Sequence, residues 1–267
     1  MCILFIALHQ HPKYPLIIAA NRDEFRQRPT AAMHWWQSPT ADVEPSVLAG
    51  KDLSAGGTWL AIARSGKFAA LTNFRKLPID NSRQYTSRGE LVLKAHQLGN
   101  AELTQLLSTQ YQQYQGFNLL YGDQHGLTCF DSVNHQFTEN KAGFFSLCNG
   151  ALDDIWPKMA RGEQALERFI ASQSTRELNH QDLLGLLQDN QTAPDNLLPK
   201  TGLPYEWEKQ LSAIFIRGEE YGTRSSCVYT LRFDGVAQVT EVTYDRSGDI
   251  DSQVEFSWQT ETKSLLT

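Results

Sequence analysis

The chain opens with short, β-rich apolar runs that are separated by turn-forming residues. These runs cover residues 3–8, 16–20, 58–63 and 67–72 and are bounded by Pro, Gly, Asn or Ser. Runs of this length and composition predict strands, and the segment 64–66 between the last two predicts a tight hairpin turn. The first quarter of the chain is therefore predicted to be antiparallel sheet.

Helical segments follow this block, and the alternation then repeats. Residues 87–98 and 101–114 are rich in helix formers, and Ser87 with Glu90 predicts a capping box. Further strands are predicted at residues 117–122, 127–131, 143–147, 213–216, 227–233, 237–244 and 253–258, and further helices at 157–171 and 181–188. Strand blocks alternating with helix pairs predict one α+β domain, residues 1–267, whose sheets carry helices on their outer faces.

Charge and cysteine content narrow the function classes. The 267 residues include 24 basic and 30 acidic side chains, a formal net charge of −6, and no Lys or Arg run that would follow a row of phosphates, so a nucleic-acid partner is not expected. Cys2, Cys129, Cys148 and Cys227 are scattered, and neither they nor the seven histidines have metal-site spacing. No run approaches the ~18 apolar residues of a membrane span. A cytoplasmic protein without a metal and without membrane insertion is predicted.

Cys2 is the first candidate catalytic residue. Removal of Met1 would leave a residue that carries both a thiol and a free α-amine. The amine, with a pKa of about 7.7–8.0, is suited to accept the proton of a thiol whose pKa is about 8.5, so Cys2 would be a nucleophile with its own base. The alternative is a small buried residue at the start of a strand.

The run 16–20 passes abruptly into Asn21, Arg22, Asp23 and Glu24. If this strand lies beside residues 3–8, the polar residues reach a strand end near Cys2, where Asp23 would hold and orient a protonated amine. The alternative is a turn or a salt-bridge cluster, because Asn and Asp favour turns.

Three further polar residues stand at strand ends. Asn73 and Asn149 each follow an apolar run, where a side-chain amide suits an oxyanion formed by thiolate attack on a carbonyl. Both also suit turns, and Asn149 precedes a glycine. Arg224 lies in a polar loop before the predicted strand 227–233, and its planar fork of donors suits a carboxylate or a bracing role near Cys2.

His34, Trp35 and Trp36 are the candidate cofactor-binding residues, since aromatic walls suit a flat apolar cofactor. The alternative is a half-buried aromatic loop.

Together these motifs resemble the NRDE family, also called the transport and Golgi organisation protein 2 family. The matching segments are 1–3 (MCI), 21–25 (NRDEF), 28–30 (RPT), 49–52 (AGKD), 56–60 (GGTWL), 71–75 (LTNFR), 87–89 (SRG), 116–120 (GFNLL), 149–150 (NG) and 221–226 (YGTRSS). The resemblance implies a four-layer αββα sandwich like that of N-terminal nucleophile (Ntn) hydrolases.

A more distant similarity to the cholylglycine hydrolase group implies roles for individual residues. Cys2 would be the nucleophile, Asp23 would steer the α-amine, Asn73 and Asn149 would be oxyanion and substrate donors, and Arg224 would be a basic support. Ala20 stands where that group has an arginine.

Two functions follow from the resemblance. The first is haem binding and trafficking in the cytoplasm, with the cleft reused to hold a porphyrin. The second is hydrolysis of an amide by Cys2. Both predict a small-molecule ligand, and the fold similarity by itself decides neither.

Overall fold

The computed structural model describes residues 2–36, 46–75, 83–152, 154, 156–173 and 175–261. In these residues the strands are β1 Cys2–Leu8, β2 Leu16–Phe25, β3 Thr30–Trp36, β4 Val47–Asp52, β5 Leu60–Ala63, β6 Phe68–Asn73, β7 Phe117–Asp123, β8 Gly126–Asp131, β9 Gln136–Asn140, β10 Gly143–Leu147, β11 Tyr221–Leu231, β12 Val236–Tyr244 and β13 Ile250–Gln259. The α-helices are α1 Gly89–Gln97, α2 Asn100–Gln110, α3 Pro157–Ser172, α4 His180–Leu186 and α5 Tyr205–Gln210, with short 3₁₀ turns at Tyr111–Gln113 and Asp195–Leu197.

The strands form two antiparallel sheets. Sheet 1 has the order β10-β1-β2-β11-β12-β13, and sheet 2 has the order β3-β4-β5-β6-β7-β8-β9. β1 and β2 pair from Leu8 opposite Leu16 to Cys2 opposite Arg22. β2 then pairs with β11 along its whole length. The N-terminal strand therefore lies in the interior of sheet 1.

The side chains of β1 alternate between two buried faces, as the period of a strand requires. Leu4, Ile6 and Leu8 pack in the core between the two sheets. Ile3 and Phe5 pack on the outer face of sheet 1 against α3 and α4. A strand buried on both faces is apolar throughout, which explains the unbroken apolar run 3–8.

The outer face of sheet 2 is covered by α1 and α2, through Leu91 and Val92 of α1 and Leu103 and Leu107 of α2. The layers are therefore α3 and α4, sheet 1, sheet 2, and α1 with α2. This order confirms the predicted four-layer αββα sandwich.

Several elements differ from the sequence prediction. β3, β4 and β9 were not predicted, and β3 occupies the segment interpreted as an aromatic loop. The apolar run 213–216 is buried but irregular: the main-chain N–H of Phe215 donates to the oxygen of Asp189 rather than to a strand neighbour. Burial makes such a run apolar whether or not it pairs in a sheet, so its composition does not separate the two cases.

The expected capping box at Ser87 is also wrong. α1 begins at Gly89, and its N-cap is Arg88, with no side-chain capping bond. Glu90 instead accepts hydrogen bonds from Lys94 and Tyr114. The carboxylate of Glu90 has stronger partners on the helix surface and is not available to cap the helix.

All four cysteines are buried free thiols. In the described part of the chain, no helix is both long enough and apolar enough to cross a membrane.

Candidate active site

The site begins where three neighbouring strands of sheet 1 end. Cys2 of β1 lies opposite Arg22 of β2, and Asp23 lies opposite Thr223 of β11. The register of β2 and β11 shifts between Thr223 and Ser225, so Arg224 is the extra residue of a β-bulge. Bulges redirect a side chain out of the regular alternation. The pairing thus places Cys2, Asp23 and Arg224 on adjacent strands, as the sequence predicted for the first two.

These residues line a cleft of about 600 Å³ between the ends of the two sheets. Cys2, Asp23, Asn73 and Arg224 all contribute to its walls. The other walls come from the β4–β5 loop, the segment before α1 and the ends of β12 and β13. A cleft of this size suits a small molecule.

Asn21 to Glu24 belong to β2, which continues to Phe25, so the alternative of a turn at this segment is wrong. Asn21 is fully buried: its amide donates to the main-chain oxygens of Leu187 and Ile214, and its side-chain oxygen accepts from Ser226. Asn21 therefore holds the irregular segment 213–216 against sheet 1 and does not face the cleft.

Asp23 is held in a buried environment. It is 1% exposed, and its Oδ1 accepts a 2.8 Å hydrogen bond from the hydroxyl of Thr223. Burial raises the pKa of the Asp23 carboxyl, opposed chiefly by the positive charge of Lys158. The carboxylate is thus fixed in place beside Cys2.

Lys158 was not singled out from the sequence. It lies in α3, is 2% exposed, and its ammonium group donates to the main-chain oxygen of Leu211 at 2.9 Å. A signal was present, because Lys158 falls beside Met159 on the face that also carries Gly162, Leu166 and Ile170, all buried. A lysine on the buried face of an amphipathic helix calls for a charged or polar partner.

The Cys2 thiol is 6% exposed. Burial raises its pKa to about 11, and the nearby carboxylates of Asp23 and Glu24 act in the same direction. At neutral pH this thiol is protonated, so attack on a carbonyl requires a base that removes the proton. Met1, whose removal would supply an α-amine, lies outside the described residues.

Asn73 and Asn149 come from different sheets and meet beside the cleft. Asn73 ends β6 and lines the cleft, whereas Asn149 follows β10 and is fully buried outside its lining. The Asn149 amide donates to the main-chain oxygen of Asn73 at 2.7 Å, and its Oδ1 accepts from the Cys148 thiol. Asn73 is thus placed to touch a ligand, while Asn149 holds the backbone of Asn73.

Arg22, Glu24, Arg28 and Asp52 form a network of ion pairs and also line the cleft. Arg22 lies 3.8 Å from Glu24 and 3.7 Å from Asp52, and Arg28 lies 3.8 Å from Glu24 and 2.6 Å from Asp52. Burial is the largest single influence on Asp52 and opposes its ionisation, but the hydrogen bond and charge of Arg28 together with the main-chain N–H groups of Ala55 and Ser54 outweigh it and lower the pKa of that carboxyl. Within the polar segment 21–24, Arg22 and Glu24 therefore form the salt-bridge cluster that was the alternative interpretation.

Glu241 of β12 also lines the cleft and was not identified from the sequence. Its Oε2 accepts a 2.6 Å hydrogen bond from the main-chain N–H of Met33, at the bulge of β3. Burial raises the pKa of Glu241 to about 7. This carboxyl joins sheet 1 to sheet 2 and titrates near neutral pH.

His34, Trp35 and Trp36 do not form one wall. Trp35 packs toward the core between the sheets and against Trp258, with ring centroids 5.1 Å apart. Trp36 lies on the other face, stacked with the exposed His34 at 6.2 Å. Successive residues of a strand point to opposite faces, and none of the three lines the cleft.

The structure also allows a test of the cleft as a haem site. Haem needs an apolar slot, whereas the described lining has six basic and five acidic side chains. It contains no histidine, and the side chains in it that could ligate haem iron are those of Cys2, Tyr85 and Tyr244. Trp59 and Leu71 are its larger apolar members. Such a lining fits a small polar molecule better than a porphyrin. The described residues contain no group of three or more His, Cys, Asp or Glu side chains that could hold a metal ion.

Comparisons with known proteins agree with this fold. The model of the family described as "Transport and Golgi organisation 2" matches residues 1–246. The Bos taurus "Transport and Golgi organization protein 2 homolog" is 31% identical over 263 residues, covering 90% of this chain and 92% of the relative. The Homo sapiens homolog of the same name is 31% identical over 261 residues, with the same coverage.

Among solved structures, the C2A mutant of the conjugated bile acid hydrolase from Clostridium perfringens is similar, with a TM-score of 0.52. The match covers 98% of this chain and 94% of that one at 10% sequence identity. At this identity the likeness establishes the Ntn-hydrolase-like fold and leaves the chemistry to the residues of the cleft.

Proposed function

The chain belongs to the Transport and Golgi organisation 2 family, and from this membership together with the geometry of its cleft we propose that it is an amide hydrolase whose nucleophile is Cys2. The observation that carries the proposal is the position of Cys2. It opens β1 at the wall of a polar cleft, with the buried carboxylate of Asp23 on the neighbouring strand.

The proposed reaction begins once Met1 has been removed. The α-amine of Cys2 accepts the thiol proton, and the thiolate attacks the carbonyl carbon of the amide. A C–S bond forms, and the amide nitrogen takes the proton from the α-amine as the C–N bond breaks. Water then attacks the thioester, which releases the carboxylic acid and returns the proton to the thiol.

Asp23 supports this reaction by its charge. The α-amine is protonated in the tetrahedral intermediate, and a carboxylate on the next strand stabilises that positive charge and fixes its direction. The hydrogen bond from Thr223 sets the orientation of the carboxylate.

Asn73 lines the cleft, so its side-chain amide is the proposed hydrogen-bond donor to the oxyanion. Asn149 acts as a positioning residue through its hydrogen bond to the Asn73 main chain. Arg224, tied to three main-chain oxygens, adds positive charge to the wall.

Haem carriage stays a prediction of the family resemblance. No feature of the cleft lining favours it over a polar amide, and His34, Trp35 and Trp36 lie elsewhere. A haem titration of the purified protein tests it: a saturable Soret shift would support carriage, and no shift at micromolar haem would remove it.

The amidase is tested by mass spectrometry of protein isolated from cells. We expect the chain to begin at Cys2 and, after incubation with a panel of N-acyl aminomethylcoumarin amides, to release coumarin and carry a transient acyl group on Cys2. Cys2→Ala should abolish both signals, whereas Cys129→Ala, at a buried thiol outside the cleft lining, should keep them. Retention of Met1, or acylation that survives in Cys2→Ala, would contradict the mechanism.

A further inference from the structure

Four of the six basic side chains that line the cleft have no carboxylate of the described residues within ion-pair distance. They are Lys51, Arg83, Arg88 and Arg224. Lys51 lies over the Trp36 ring at 5.0 Å, and Arg83 lies over the Tyr85 ring at 5.6 Å. Arg88 and Arg224 have neither an acidic nor an aromatic partner among the described residues.

Arg88 and Arg224 are held by main-chain oxygens. Arg88 donates to Gly116 at 3.1 Å, and Arg224 donates to Phe25, Arg26 and Arg28 at 3.0–3.3 Å. These bonds fix the guanidinium groups, and among the described residues no carboxylate lies within ion-pair distance of either. A planar guanidinium with free donors is the group that binds carboxylates in the bidentate geometry.

Arg22 and Arg28, unlike Arg88 and Arg224, lie within ion-pair distance of carboxylates. Those two guanidinium groups share Glu24 and Asp52, so two positive and two negative charges balance within that network. With six basic and five acidic side chains, the described lining carries one more positive than negative charge in a protein whose formal net charge is −6.

The two guanidinium groups belong to one electrostatic neighbourhood that includes the nucleophile. The Glu24 carboxylate acts on both, and the Cys2 side chain acts on Arg88. Burial lowers the pKa of Arg88 to about 10, so it keeps its positive charge at neutral pH. Two partly desolvated like charges favour an anion between them more strongly than surface arginines do.

We propose that Arg88 and Arg224 form an anion subsite that binds a carboxylate carried by the amide substrate of Cys2. The substrate class is then an N-acyl amino acid or another amide with a carboxylate near the scissile bond. This inference rests on the proposed amidase function for the position of the amide, but the binding of the anion does not require catalysis.

Binding is measured in Cys2→Ala, which cannot turn over the probe. The probes are N-benzoylglycine and its neutral counterpart N-benzoylglycinamide, titrated by calorimetry. We expect the carboxylate to bind about tenfold or more tightly than the amide, the difference made by a charged hydrogen-bonded pair. The phosphonate analogue of N-benzoylglycine, in a third titration, distinguishes a carboxylate subsite from a phosphate subsite.

Substitution of Arg88 tests the assignment. Arg88→Gln, added to Cys2→Ala, should bring the affinities of the two glycine probes to within about twofold, with the neutral probe unchanged. Arg88→Lys should keep part of the preference because it keeps the charge but loses the fork. Arg168→Gln, at an exposed arginine of α3 that bonds within its own helix, is the matched control and should keep the full preference. A thermal melt of each variant confirms folding.

The outcomes separate the two proposals. Equal affinities for the glycine probes, no binding of either, a preference for the phosphonate, or a preference that survives Arg88→Gln would overturn the carboxylate subsite. If the carboxylate probe binds as expected while the protein with Cys2 hydrolyses nothing, the amidase fails and the subsite stands. If neutral amides are hydrolysed without a carboxylate preference, the amidase stands and the subsite fails.

Discussion

The side-chain amide of Asn149 donates to the main-chain oxygen of Asn73 at 2.7 Å, and this hydrogen bond joins the end of β10 in sheet 1 to the end of β6 in sheet 2. The main-chain oxygen of Asn149 in turn accepts from the N–H of Arg75. Asn149 and the segment 73–75 are therefore fastened to each other at the edge of the cleft.

Substitution of Asn149 by Ala should lower both stability and activity. It leaves the main-chain oxygen of Asn73, in a partly buried hydrogen bond, without this donor, which costs about 1 kcal/mol in the free energy of unfolding. Urea denaturation measures the loss. Asn134→Ala, which removes a side-chain bond to Asp131 away from the cleft, serves as the control for general loss of a polar contact. A rate of amide hydrolysis equal to that of the parent would contradict the positioning role.

Asp23 and Lys158 should be energetically coupled, because both are buried and the positive charge of Lys158 opposes the rise in the pKa of Asp23. Asp23→Asn and Lys158→Met should each lower the free energy of unfolding by about 3–5 kcal/mol, since each leaves a buried charge without its counter charge. The double variant should cost clearly less than the sum, and a double-mutant cycle by urea denaturation measures this coupling. Activity should stay lost in the double variant, since the carboxylate that steers the amine is gone. Strict additivity would show that the two charges do not interact.

The strand and helix pattern predicted sheets with helices on their outer faces because its strongest signals are local, whereas the four-layer order was implied by the family resemblance. The apolar runs 3–8 and 16–20 are strands buried on both faces, and such strands are apolar along their whole length. Their antiparallel pairing follows from the short connection between them, which placed Asp23 near Cys2 correctly. β3 was missed because it is an edge strand with a bulge, and its polar and exposed residues interrupt the alternation.

The parts of the site that sequence reasoning missed depend on long-range contacts. Arg28 and Asp52 pair at 2.6 Å although 24 positions separate them, and Glu241 reaches Met33 from 208 positions away. A single sequence carries no signal for such pairs. Arg88 stood in the quoted motif 87–89, but only the folded structure shows that it lines the cleft.

Glu241 should make the stability of the protein depend on pH. Burial raises the pKa of Glu241 from its usual 4.5 to about 7, so between these values the folded state binds more protons at this site than the unfolded state. Glu241 therefore contributes to the free energy of unfolding fully below about pH 4.5, and this contribution is lost as the pH rises through 7. The loss is on the order of 3 kcal/mol. Its neighbours, the Met33 N–H, the Ser225 hydroxyl and Arg22, act against this loss but do not reverse it.

Glu241→Gln isolates this contribution, because the glutamine keeps an oxygen for the Met33 N–H and has no charge to bury. Urea denaturation of both proteins at about pH 5 and pH 8 is the measurement. We expect the free energy of unfolding of the variant to increase relative to that of the parent protein as the pH rises. A stability difference that is the same at both pH values would show that Glu241 titrates near its usual value in the folded protein.

The Cys2 thiol should react with iodoacetamide at a rate that depends on whether Met1 is present. Burial raises the thiol pKa to about 11, so in a chain that keeps Met1 the thiolate fraction, and with it the alkylation rate, should rise about tenfold per pH unit from pH 7 to pH 10. A chain that begins at Cys2 has a free α-amine on the same residue, which is suited to accept the thiol proton near neutral pH. Its alkylation rate should therefore level off near pH 8. Peptide mass spectrometry assigns the modification, and Cys2→Ala supplies the background from Cys129, Cys148 and Cys227, which are all buried. Identical pH profiles for the two chains would show that the α-amine does not act on the thiol, and the proposed proton transfer would then fail.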